Sequence, residues 1–242
     1  MIDVDTRPAA SIRTYHPRRG RQGARHRDAL RRLWPRYGVP IPAAPAPAGS
    51  APAGSAPEWL DPVAVFGRAA PLVLEIGSGM GHATARMAQA DPDRDYLAVD
   101  VHTPGVANLL ALIEERGLAN VRVAHGDALD LVRRRLAPGA LDAIHAFFPD
   151  PWPKSRHRKR RLIQPSHVRL LASRLAPGGT LHCATDSADY ASAMLATLTG
   201  QPGLVNAHDG FAPRPAHRPV TGYEARAVES GRTTLDLVFR KS

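Results

Sequence analysis

The sequence predicts an α/β fold, a mainly parallel sheet with helices on both faces. Two observations carry that reading. Short, nearly continuous apolar runs alternate along the chain with longer stretches whose apolar residues recur at helical spacing. In addition, 43 % of the 242 residues are apolar, enough for a full core, while aromatics are only 5 %, so Ala, Leu and Val must fill it. A chain of this length accommodates one ordinary domain with short attachments.

The first 39 residues read as a basic arm ending in a short helix. Asp28-Ala-Leu-Arg-Arg-Leu-Trp34 places an acid at its start and Leu30, Leu33 and Trp34 at helical spacing, and Pro35 is expected to stop it. Residues 40–57 carry six prolines, no charge and a tandem PAGSA repeat, which reads as an extended linker. The main domain is expected over 58–242. Its strands are expected at Leu72–Ile76, Tyr96–Asp100, Val121–His125, Leu141–Phe148, Thr180–Ala184 and Thr234–Phe239. Helices are expected over about 82–90, 104–115, 166–175 and 187–198, with one more between the third and fourth strands.

Composition excludes several classes. No run approaches the roughly 20 apolar residues of a membrane span. The opening MIDVDTRPAA lacks the basic-then-apolar order of a secretory signal. The lone Cys183 has no partner for a disulfide, and no His/Cys spacing points to zinc. A cytoplasmic protein with no membrane and no metal is expected, as monomer or homodimer. Charge is uneven: of the net +10, residues 1–40 contribute +7 and the run Lys154–Arg161 contributes +6, leaving the rest slightly acidic. Two concentrated basic segments are the footprint expected of a polyanion binder, against the plainer reading of solvated surface.

The first strand ends in Glu75-Ile-Gly-Ser-Gly-Met-Gly81. Glycines at 77, 79 and 81 permit a tight turn and close approach to a ligand. His82 stands where a dinucleotide fingerprint would need glycine. A carboxylate ahead of the loop repels phosphate and attracts a cation, which suits S-adenosyl-L-methionine (AdoMet), a cofactor with a cationic centre and no phosphate. Asp100 ends the second strand, placed to accept from both ribose hydroxyls, and Asp127 follows the third, placed to accept from an adenine amino group. Either could instead be a helix cap or turn residue. Glu75, Gly77, Asp100 and Asp127 form the candidate cofactor set. Over residues 70–200 this arrangement resembles the class I AdoMet-dependent methyltransferases, which implies a Rossmann-like seven-stranded sheet. The family often has Glu where Asp100 stands.

The fourth strand runs into Phe147-Phe-Pro-Asp-Pro-Trp-Pro-Lys154 and then the basic run. Pro149, Pro151 and Pro153 stiffen this loop and set Asp150 beside the glycine turn. Trp152 either stacks on a base or packs beneath the loop, the second being favoured. Arg156, Arg158, Lys159, Arg160 and Arg161 are candidates for contacts with RNA phosphates. The string Phe148–Leu162 closely resembles the signature of the bacterial tRNA (guanine-N7-)-methyltransferases, the TrmB family. Thr221-Gly-Tyr-Glu-Ala-Arg226, Gly231 and Asp236–Arg240 resemble it too, as do Arg18–Arg21 and Leu33–Tyr37 of the arm; the resemblance spans most of the chain apart from the linker.

That resemblance implies methyl transfer from AdoMet to N7 of guanine 46 in the tRNA variable loop. It implies AdoMet contacts from Glu75, Asp100, Asp127 and Asp150, with Asp150 as catalytic residue at the junction of cofactor and guanine. Lys154, Asp186, Thr221, Gly222, Tyr223 and Glu224 would bind the substrate nucleotide. Gly222 departs from the family, where the position is commonly basic; Arg214, Arg218 or Arg226 could compensate. Asp186 reads equally as a cap for the helix after it. The residues alone leave two alternatives open: a methyltransferase for another RNA, a protein or a small molecule, and a non-enzymatic RNA-binding protein on the same fold.

Overall fold

The computed structural model describes residues 13–15, 23–42 and 59–242. Most of the Pro/Ala-rich linker, and the arm outside 13–15 and 23–39, lie outside the described residues. The elements in chain order are α1 (Ala24–Tyr37), β1 (Gly38–Val39), α2 (Pro62–Phe66), β2 (Leu72–Ile76), α3 (His82–Ala90), β3 (Asp95–Asp100), α4 (Thr103–Arg116), β4 (Val121–His125), α5 (Ala128–Arg135) and β5 (Leu141–Phe147). A 3₁₀ turn (Ser155–Arg160) follows, then α6 (Pro165–Arg174), β6 (Leu175–Thr185), α7 (Ala188–Thr199), β7 (Leu204–Asn206), α8 (Gly222–Glu229) and β8 (Leu235–Lys241).

These strands form one eight-stranded sheet in the order β1-β4-β3-β2-β5-β6-β8-β7. All pairs from β1 to β6 are parallel, and β8 joins β6 and β7 antiparallel. The fold class is the expected one. The count is eight rather than seven because Gly38–Val39 adds an edge strand against β4. Strand order reverses between β2 and β5, and the crevice beyond the carboxyl ends at that point is where this architecture binds ligands.

Alternation along the strands separates two apolar layers. Leu72, Leu74, Ile76, Leu97 and Val99 pack with residues of α5, α6 and α7, including Leu131, Leu171 and Met194. Val73, Tyr96 and Ala98 pack on the other face with residues of α3 and α4, among them Ala85, Leu109 and Ile113. Ala29 and Leu33 of α1 belong to this second layer. Arg32 adds bonds of 2.8 and 3.0 Å to Glu114 of α4. The arm's helix thus packs on the body through α4. Pro35 does not stop the helix either: it sits in the last turn, which closes with Gly38 N–H donating to Trp34 O, so the absent proline N–H removes a single bond.

Short elements depart most from expectation. Asp61 and Pro62 start α2 and Gly67 ends it in the left-handed region (φ 78°). The Lys154–Arg161 segment, expected as loop, winds into the 3₁₀ turn. Thr221 caps α8, accepting from Glu224 N at 3.1 Å. Among the described residues no helix is long and apolar enough to cross a membrane.

Candidate active site

One cavity of about 620 Å³ opens at the reversal point of the sheet. Its wall takes Glu75 to Met80 from the β2–α3 turn, Val99 to His102 from the end of β3, Gly126 and Ala128 after β4, and Phe147 to Asp150 after β5. Val220 to Tyr223 and Arg226 close another side, and Thr14 and Tyr15 also reach it. Glu75, Gly77, Asp100 and Asp150 therefore share a single space with Thr221, Gly222 and Tyr223.

The glycine turn behaves as its composition requires. Gly77, Gly79 and Gly81 have φ of 80°, 58° and 77°, a region that side chains with a Cβ avoid. A Cβ on Gly77 or Gly79 would meet nothing within 4 Å, so both present bare backbone to open space; one on Gly81 would lie 2.5 Å from Leu109 Cβ. Asp100 fixes the turn by accepting from Gly79 N at 2.6 Å and His102 N at 2.7 Å.

Glu75 is 3 % exposed and accepts a hydrogen bond from the Thr84 hydroxyl. Burial raises its carboxyl to about 7, opposed by the Thr84 bond and reinforced by nearby Asp100. Thr84 escaped the sequence reading, although it sits on the first turn of a helix that begins at the glycine loop. Ser78 Oγ and His102 Nδ1 also belong to residues of the cavity wall, and both are buried without a hydrogen-bond partner. A buried acceptor, bare glycine backbone and unpartnered polar atoms fit a cofactor with an ammonium or amino group and hydroxyls.

Asp127 is placed differently. Its Oδ1 accepts from Leu129 N at 2.8 Å and caps α5, while its neighbours Gly126 and Ala128 form the wall. Asp150 is half-buried and lines the cavity. Phe148 and Trp152, on either side of Pro149-Asp-Pro151, both hold positive φ, 51° and 44°, a strained conformation costing on the order of 1–3 kcal/mol each. Trp152 is 2 % exposed, so it packs under the loop as favoured above; Arg160 lies 4.9 Å over its ring. Phe148 stacks with Tyr223 at 6.1 Å between ring centres, and Arg226 lies 5.0 Å over the Tyr223 ring.

Several substrate-side expectations need correction. Arg161 is 3 % exposed, donates to Pro151 O at 2.9 Å, pairs with Asp189 and sits over the Tyr190 ring. It is a packing residue that holds the proline loop, because the last turn of the 3₁₀ segment directs it inward, and it is not available to a phosphate. Arg156, Arg158 and Lys159 are exposed, though Arg158 also pairs with Asp189 at 2.9 Å. Lys154 is exposed ahead of the turn. Glu224 is buried and holds Arg218 through bonds of 2.6 and 3.2 Å, so its carboxylate faces the interior rather than the cavity. Arg218 is 1 % exposed and also binds both oxygens of Asp236, which removes it as a substitute for a basic residue at 222. Asp186 pairs with Arg232 at 3.1 Å, and the cap of α7 is Ser187. Gly222 itself lines the cavity with open space at its Cβ position. Arg86, four residues along α3 from His82, is a cavity cation the sequence reading missed.

Comparison with known proteins converges with this geometry. A family model described as "Putative methyltransferase" matches residues 69–237. A tRNA (guanine-N(7)-)-methyltransferase of Streptomyces coelicolor is 51 % identical, covering 95 % of this chain and 81 % of that protein. The protein of that name from Nitrosospira multiformis is 47 % identical over 98 % of both. Among solved structures, the 16S rRNA methyltransferase KamB superposes with a TM-score of 0.56 at 18 % identity, covering 76 % of this chain and 95 % of that one, a likeness of fold. The chain belongs to the tRNA (guanine-N7-)-methyltransferase family of class I methyltransferases.

Proposed function

We propose that this chain is a cytoplasmic enzyme that transfers a methyl group from AdoMet to N7 of guanine 46 in the variable loop of tRNA. The observation that carries this reading is the single cavity joining the glycine turn, Glu75 and Asp100 to Asp150, Thr221 and Tyr223. The names of relatives about half identical over nearly the full chain support it.

AdoMet, when bound, supplies an electrophilic methyl group on a sulfonium. Guanine N7 carries an in-plane lone pair and no proton, so no general base is required, and the protein's task is placement. Glu75 and Asp100 hold the cofactor's hydrogen-bond donors at the carboxyl ends of β2 and β3, and the backbone at Gly77 and Gly79 allows close approach. Asp127 serves through the backbone it anchors. On the opposite wall, Phe148 and Tyr223 offer flat faces to a purine. Asp150 accepts from N1–H and the N2 amino group of guanine, holding the base and offsetting the positive charge it acquires. Positioning of this kind is worth several kcal/mol of barrier. Thr221 and Gly222 lie beside Tyr223, where the nucleotide backbone enters.

Guanine 46 must leave its tertiary contacts to reach such a cavity. Exposed Lys154, Arg156, Arg158 and Lys159, with half-buried Arg160 beside them, offset that cost through phosphate contacts next to the Asp150 loop.

The test is methylation of purified tRNA by the wild type and by Asp150→Ala, with the labelled base mapped. The wild type should label one variable-loop guanine. Asp150→Ala should lose at least about 10²-fold in turnover with an unchanged circular dichroism spectrum. Near-normal turnover in that variant removes Asp150 from the mechanism, and label on protein or on another base replaces the proposed substrate.

A further inference from the structure

Three histidines that lie far apart in sequence meet on the sheet, outside the cavity. His145 on β5 and His182 on β6 are register partners. His145 alternates with Ala143 and Phe147, which belong to the apolar layer shared with α3 and α4. At this end of the sheet the covering is not a helix but the segment before α8, whose Arg218 binds Asp236 of β8 and whose His217 stacks on His145. Buried imidazoles on a parallel sheet break the apolar rule that shaped the rest of the strands, and such violations mark functional positions.

The geometry is that of a ligand set. One ring nitrogen from each of His145, His182 and His217 lies within 4.8 Å of the other two. His182 Nδ1 and His217 Nε2 are 3.2 Å apart, close to the roughly 3.3 Å that two imidazoles adopt on one tetrahedral zinc at about 2.0–2.1 Å. His182 Nε2 lies 2.7 Å from Asp236 Oδ1. An N–H donated there leaves Nδ1 as an acceptor that His217 Nε2 faces at hydrogen-bond distance, so a metal ion would take the place of that proton, in the carboxylate–histidine arrangement that orients metal ligands. His145 Nδ1 is buried with no hydrogen-bond partner. His217 is exposed, giving a route of entry and room for water as fourth ligand.

Charge is favourable as well. Arg218 is matched by both Asp236 and Glu224, leaving one negative charge beside the rings. Arg94, the other nearby cation, is engaged by Asp91 and Asp142.

We propose that His145, His182 and His217 bind a divalent transition-metal ion of the zinc class, with Asp236 orienting His182. The ion ties His217 to the sheet, and with it the segment that leads through Arg218 into Thr221–Tyr223 on the cavity wall. This departs from the expectation of a metal-free protein, since no spacing in the sequence brings these three together.

The full chain, stripped with chelator and desalted, is titrated with Zn²⁺ by calorimetry and with Co²⁺ by visible absorption. The expected result is one ion per chain, a tetrahedral Co²⁺ ligand-field band, and a higher Tm with Zn²⁺. His217→Ala removes an exposed side chain, so folding is not at stake; it should weaken binding at least 100-fold and abolish both the band and the Tm rise. His145→Gln should do the same. Absence of saturable binding to the wild type, or wild-type affinity in His217→Ala, overturns the proposal. Neither readout depends on methyl transfer, so the assignment of activity stands or falls separately.

Discussion

Glu75 carries the clearest consequence at the scale of one residue. Burial lifts its carboxyl from 4.5 to about 7, so without ligand the folded state favours the protonated form. The contribution to stability is therefore full below the unfolded value and is lost as pH rises through 7, on the order of 3 kcal/mol in all. Glu75→Gln should be more stable than the wild type above pH 7, with the difference closing toward pH 4.5, as read by denaturant melts across that range. AdoMet affinity should rise between pH 6 and 8 in the wild type and stay flat in the variant, because hydrogen-bond donors on the ligand select the ionised acid. Gly222 gives a second prediction. Its Cβ position faces open space on the cavity wall, so Gly222→Arg should fold normally and tighten tRNA binding several-fold; clashing or weakened binding would show that the substrate backbone passes elsewhere. The sequence disclosed Glu75, Gly77 and Asp100 because a glycine turn at a strand end is a local pattern. It did not disclose that Arg161 and Glu224 point inward, because their partners Asp189 and Arg218 are brought to them by folding.

At the scale of elements, both ends of the basic turn act differently. Arg161 braces the Pro149–Pro153 loop from beneath, whereas Arg156 projects into solvent. Arg161→Ala should cost about 2–3 kcal/mol of stability by removing a buried side chain and leaving Pro151 O without its donor, with Asp189 keeping Arg158, and Arg156→Ala should cost almost none. In binding, Arg156→Ala should weaken tRNA uniformly and lower the salt slope by about one. A reversed pattern in melts and filter binding would exchange their roles. The strands and long helices were legible because strands buried on both faces are nearly continuous apolar runs and the helices repeat over several turns. The short pieces were not: β1 is two residues and α2 is five, too few to show a period. For α8 a signal existed, since Thr221-Gly-Tyr-Glu224 has the spacing of a helix capping box and Thr221 does cap it. Removal of residues 1–40 cannot isolate the arm's charge, because it also strips Ala29 and Leu33 from the layer against α4.

Across the whole molecule, the sheet's reversal point gathers what the sequence scatters over more than 140 residues, from Glu75 to Tyr223. The fold follows from the alternating apolar runs, and Glu75, Gly77 and Asp100 on the cavity wall follow from the pattern at the ends of β2 and β3. The substrate half depended on a family signature, and the three-histidine cluster depended on register between β5 and β6 and on a segment folding back over them, neither of which spacing can reveal. The central claim is that this one cavity presents a guanine of tRNA to a methyl donor. It is tested most directly by incubating purified tRNA with the protein and AdoMet, then treating the RNA with borohydride and aniline, which cleave at N7-methylguanine. The account predicts one new, AdoMet-dependent cleavage at guanine 46 that Asp150→Ala does not produce. An uncleaved variable loop, with methyl groups incorporated elsewhere or not at all, would contradict it.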